Sequence, residues 1–80
     1  MNVYPDPVSD FCRVSLDKEY GIVRIEIYNA FGAMAGFLLA GNTKSVDLDL
    51  RDLPNGIFML VVTADNISST RKIIRLRAIH

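Results

Sequence analysis

Hydrophobic and polar residues alternate along most of the chain. Cys12, Val14 and Leu16 fall on one side, with Phe11, Arg13, Ser15 and Asp17 on the other, the period-two pattern of a half-buried strand. Lys18 to Gly21 reads as the turn that ends it. Ile22 to Tyr28 follows, with Val23, Ile25 and Ile27 facing in and Arg24 and Glu26 facing out. Asn29-Ala30-Phe31-Gly32 is predicted to be a type I turn, because Asn bonds forward to the backbone and Gly supplies a left-handed exit. The returning segment, Ala33 to Ala40, is ambiguous: Ala35, Phe37 and Leu39 compete with Met34 and Leu38 for the inward face. Gly36 is expected to mark a bulge that switches them.

Gly41 to Lys44 is expected to close that segment, after which Val46, Leu48 and Leu50 alternate with Asp47, Asp49 and Arg51. The turn Leu53-Pro54-Asn55-Gly56 feeds the unbroken apolar run Ile57 to Val62, which reads as the central strand. Asp65 to Ser69 is a polar turn, and Thr70 to Ala78 is predicted as a last strand, with Ile74, Leu76 and Ala78 inward and Arg71, Arg75 and Arg77 outward.

Short strands separated by turn signals, with no amphipathic helix to carry a parallel crossover, predict an all-β, antiparallel β-sandwich. Its expected core is Val14, Ile25, Ile27, Val46, Leu48, Phe58, Leu60 and Val62. If Phe58, Leu60 and Val62 face inward, then Ile57, Met59 and Val61 face outward. Three apolar side chains in line, beside Ile22 or Tyr28, predict a contact stripe for a receptor protein or for a weak homodimer.

Length sets the scale of what such a sandwich can do. Eighty residues make one domain, spanning residues 1–80, that buries about 63% of its open-chain surface on folding. A thin core of this kind leaves no room for a deep active site. Nine Lys+Arg balance nine Asp+Glu, so no net field draws the chain to nucleic acid or to an acidic membrane surface. No stretch approaches the roughly 18 apolar residues of a spanning helix, so direct membrane insertion is not expected. Met1 to Pro5 has neither the basic nor the apolar region of a signal peptide.

Candidate chemistry is sparse. The single His is His80 and the single Cys is Cys12, which reads as a small core hydrophobe. No nucleophile-base pair or nucleotide-binding loop can be assembled, so neither an enzyme nor a cofactor is expected. Asp47, Asp49 and Asp52 form a carboxylate cluster that could touch Ca²⁺, but they lack a ligand-rich loop and read as a solvated face. Arg71, Lys72, Arg75 and Arg77 read as the charges that guard an exposed sheet edge.

Four segments together carry more than their parts: Tyr4-Pro5-Asp6-Pro7-Val8-Ser9-Asp10, Ile25 to Gly32, Leu53 to Phe58, and Lys72-Ile73-Ile74. In order and spacing they resemble the C-terminal sorting domain of proteins exported by the type IX (Por) secretion system of Bacteroidetes. The resemblance implies a small immunoglobulin-like sandwich at the end of a longer cargo protein, acting as a transport address to the cell surface or the medium through the periplasm and outer membrane. It implies as partners outer-membrane translocon components and a sortase-like peptidase. It places the opening motif at Tyr4, Pro5, Asp6 and Pro7, the central-strand motif from Gly56, Ile57 and Phe58 onward, and the basic terminal motif at Lys72, Ile73, Ile74 and Arg75. The chain departs from the family at Asp6, where Asn is usual, at Phe58, where Tyr is frequent, and in the tail running on to His80. The alternative is a free-standing immunoglobulin-like adhesion or carbohydrate-binding module, although a glycan platform usually needs more exposed aromatics than three Tyr and no Trp.

Overall fold

The computed structural model describes residues 1–77, so the expected places of Ala78 and His80 lie outside the described residues. Five strands follow in order: β1 (Asn2–Tyr4), β2 (Phe11–Asn29), β3 (Met34–Asp49), β4 (Gly56–Ala64) and β5 (Ile67–Arg75). All pair antiparallel in one sheet, in the order β1-β2-β4-β5, with β3 also on β2. There is no helix among the described residues.

The expected short strands merge. Lys18 to Gly21 does not end a strand, and Gly41 to Lys44 does not end another. These two turn-like stretches lie opposite each other, with Ile22 paired to Gly41 and Tyr20 to Thr43. The β2–β3 register slips between Ser15 and Tyr20, and Asn42 adopts a left-handed φ of 50°. Residues that would reverse a lone strand instead bend two paired strands together, as bulges do. The two layers of the sandwich are therefore two halves of one curled sheet. One half holds β1 with the first part of β2 and the last part of β3; the other holds β3, β2, β4 and β5.

This bend also moves the centre of the architecture. β2 pairs with three strands, β1, β3 and β4, and β4 sits between β2 and β5. The unbroken apolar run identified an interior strand, but the hub is the long alternating one.

Inside the curl, Val14, Ile25, Ile27, Val46, Leu48, Phe58, Leu60 and Val62 are all buried, joined by Val3, Val8, Cys12, Val23, Leu50 and Ile73. The hairpin turn forms as the sequence predicts. Asn29 Oδ1 accepts from the N–H groups of Phe31 at 2.9 Å and Ala33 at 3.0 Å, and Gly32 takes a φ of 84°. The ambiguity in β3 resolves through a register shift: Ile27 pairs with Gly36 and Tyr28 with Met34, leaving Ala35 as the extra residue. Leu38 thus shares the side of Ile25, while Phe37 and Leu39 turn outward. Gly36 lies so close to Ile27 that an added Cβ would stand 3.1 Å from Ile27 Cδ1.

The last strand is corrected twice. The turn before it uses only Asp65 and Asn66, both at positive φ (47° and 81°), so Ala64 pairs directly with Ile67. Such a mirror-image turn matches the strand twist, and it draws Ile67 to Ser69 into β5. The face is also reversed: Ile73 and Arg75 are fully buried, whereas Ile74 and Leu76 are 38% and 52% exposed. Ile73 pairs with inward-facing Phe58, and directly paired residues share a face.

Candidate docking surface and motif junction

The opening, central and terminal motifs converge at one end of the curl. After β1, Tyr4 is 44% exposed and Pro5, Asp6 and Pro7 are exposed, but Val8 is fully buried. Val8 lies parallel to the end of β5 and bridges to Arg75. Its N–H donates to the Ile74 carbonyl at 2.7 Å, and its carbonyl accepts from Leu76 N–H at 2.8 Å. On the other side of β5, Arg75 pairs with Gly56, whose φ of 153° disfavours any side chain.

Arg75 is the member of this junction that alternation misplaces. Its Nε donates to the Leu50 carbonyl at 3.0 Å, and its Nη2 reaches Asp10 Oδ1 at 3.5 Å. The Asp10 carbonyl in turn accepts from Leu50 N–H at 2.8 Å. Among the described residues Nη1 has no hydrogen-bond partner. A buried charge of this kind persists because it is paired and because Arg offers several donors in a fixed fork. Leu50 and Asp10, which accept from it, and Val8, which bridges its backbone, lie in segments the sequence singles out, but nothing in the sequence links them to Arg75. Next to them, Arg77 N–H donates to Asn55 Oδ1 at 2.6 Å, fastening the chain after β5 to the turn before β4.

Other motif residues divide between core and surface. Phe58 and Ile73 are core; Ile57, Lys72 and Ile74 are exposed on the outer face. Along that face, rows of paired residues read Phe37, Glu26, Val61, Thr70; then Met34, Tyr28, Met59, Lys72; then Ile57 with Ile74. Ile57 is 48% exposed, and Met59 and Val61 are half-buried between neighbouring side chains. Tyr28 adjoins Met59, whereas Ile22 lies farther along, lining a groove with Arg24, Leu39, Thr63 and Asp65. The one acid within the patch is tied down: Tyr28 O–H donates to Glu26 Oε2 at 2.7 Å. That bond pushes the Tyr28 phenol upward from its ordinary pKa.

Asp47 and Asp49 occupy the solvated face expected of them. Arg13 meets Asp47 at 2.7 Å and Arg51 meets Asp49 at 2.8 Å. Hydrogen bonding to Arg13 holds the Asp47 carboxyl below its ordinary range. Arg51, through its side chain and its backbone N–H, holds Asp49 at about 2. Cys12 is buried, and desolvation, reinforced by Asp47 and Asp6, pushes its thiol up to about 11. A thiol so rarely ionised is a poor nucleophile.

The chain is thus a small antiparallel β domain whose motif residues divide between its core and its surface. Comparison with protein families matches residues 2–76 to the secretion system C-terminal sorting domain. The chain belongs to that family. It carries the C-terminal sorting signal of type IX secretion cargo, which implies an interaction with the secretion machinery and export to the cell surface or the medium. No curated protein matches the chain.

Proposed function

We propose that the outer face of β2, β4 and β5 is the surface read by outer-membrane components of the type IX translocon, after the cargo has reached the periplasm. The observation that carries this reading is the placement of Ile57, Lys72 and Ile74, from two sorting motifs, on one face with Met59, Val61, Tyr28 and Met34. Contiguous exposed apolar surface rimmed by polar residues is the usual mark of a protein contact. In this reading the domain performs no catalysis and holds no cofactor, nucleic acid or lipid. A sortase-like peptidase acts on the chain after passage through the outer membrane, and the domain also forms a weak homodimer. The match over residues 2–76 favours this reading over a free-standing adhesion or carbohydrate-binding module.

The test is a periplasm-directed reporter fused ahead of Asn2 to His80 in a type IX-competent host. The reporter is expected at the cell surface or in the medium. Met59→Asp with Val61→Thr is expected to leave the circular dichroism spectrum unchanged and to hold the reporter in the periplasm. Export undiminished by the double substitution would reject the outer face as the docking surface.

A further inference from the structure

Among the described residues the sheet has three edges, and they are protected unequally. β1 is only three residues long. β5 carries Arg71 and Lys72, and its end is covered by Val8. Brevity, charge and a covering segment are the ordinary means of keeping an edge from pairing with another chain. Among the described residues β3 pairs only with β2, and its second edge runs unpaired along Met34 to Asp49. From Ile27 to Thr43 there is no charged residue at all. On this strand Met34, Phe37, Leu38 and Leu39 are 52%, 53%, 38% and 60% exposed, and the bulge at Ala35 disturbs only its beginning.

We propose that this edge is where a second copy of the chain adds, strand to strand and antiparallel, about a two-fold axis through Leu38. The inference rests on the proposed function and gives a location to its weak homodimer; of the outer face it engages only the β3 margin at Phe37 and Leu39, leaving β2, β4 and β5 to the receptor. In this register Leu38 meets Leu38 of the second copy, Phe37 meets its Leu39, and Gly36 meets its Ala40. The first charge beyond the segment, Lys44, falls opposite Gly32, so no like charges oppose each other. An isologous contact must be complementary to itself, and a neutral segment meeting its own reverse satisfies that. Phe37 against Leu39 is an aromatic-aliphatic cross-strand pair on the outer side, and the two Leu38 side chains extend the core on the inner side. The four-stranded half, β3-β2-β4-β5, becomes one eight-stranded sheet.

A charge exchange tests both the edge and the register. Phe37→Lys with Leu39→Lys places like charges opposite each other across the axis, as does Phe37→Asp with Leu39→Asp. By analytical ultracentrifugation the wild type is expected to pass from monomer to dimer with rising concentration. Each charged variant alone is expected to stay monomeric with an unchanged circular dichroism spectrum, and their equimolar mixture to dimerise. A wild type that is monomeric at every concentration, a charged variant that associates like the wild type, or a mixture that stays monomeric would each overturn the proposal. Met59→Asp with Val61→Thr is expected to keep this dimer while losing export, which separates a failure of this inference from a failure of the outer-face reading. If a charged variant unfolds, hydrogen exchange on the wild type decides instead. The amides among residues 36–40 that point away from β2 are expected to gain protection as concentration rises, and unchanged protection would overturn the edge.

Discussion

Arg75 gathers several segments around one guanidinium: Leu50 and Asp10 accept from it, and Val8 and Gly56 flank its backbone. Arg75→Met keeps an apolar stem but leaves the Leu50 carbonyl without that donor, at an expected cost of about 1–3 kcal/mol. Arg75→Ala should cost more, because the packed stem is lost as well. Urea unfolding measures both; an Arg75→Met midpoint at or above that of the wild type would mean that burying the charge, with Nη1 unpartnered, outweighs its bonds. Nothing in the sequence discloses this arrangement. Arg71, Arg75 and Arg77 sit two or four apart and read together as a wet face, and only the pairing of β5 with β4 shows that one of them points inward. Asn29 and Gly32 were legible because their bonds are local, closing within five residues.

The same distinction between local and non-local holds for the strands. β4 could be read directly: its period fixes Phe58, Leu60 and Val62 as one inward row, and all are buried. Phe58→Ala is expected to cost about 3–5 kcal/mol through lost burial and the cavity left behind, visible as a lower thermal midpoint with a native spectrum at low temperature. β2 and β3 were not legible as units, because turn residues in one strand bend rather than break it when the partner bends at the same place. Their joint bend is secured from a third strand pair: at the β4–β5 tip, Asp65 Oδ1 accepts from Ile22 N–H at 2.9 Å and Asp65 N–H donates to the Ile22 carbonyl at 3.0 Å. The outward set Ile57, Met59 and Val61 followed from the period alone, whereas the neighbours that complete the face, Met34, Phe37 and Ile74, depend on register.

For the molecule as a whole, formal charge is zero near neutrality, so acid shifts it steadily positive. Asp49 has a folded pKa of about 2, below its ordinary 3.8, and Asp47 is lowered in the same direction. A lowered carboxyl stabilises the fold fully above its unfolded pKa and loses that contribution as pH falls through the folded value. Stability is therefore expected to be level from pH 5 to neutrality, and to fall between about pH 4 and 2. Asp49→Asn should shallow that fall when the urea midpoint is followed against pH, and an unchanged slope would show that the exposed pair contributes nothing. The bridge from Val8 to Arg75 bears on a different matter, the order in which the chain is made. Synthesis supplies Val8 and Asp10 long before Ile74 to Leu76, so these residues wait without partners until nearly the last of the domain has emerged. A chain whose synthesis stops short of Arg75 cannot close this junction, so the opening segment gains its partners only once the end of β5 has emerged.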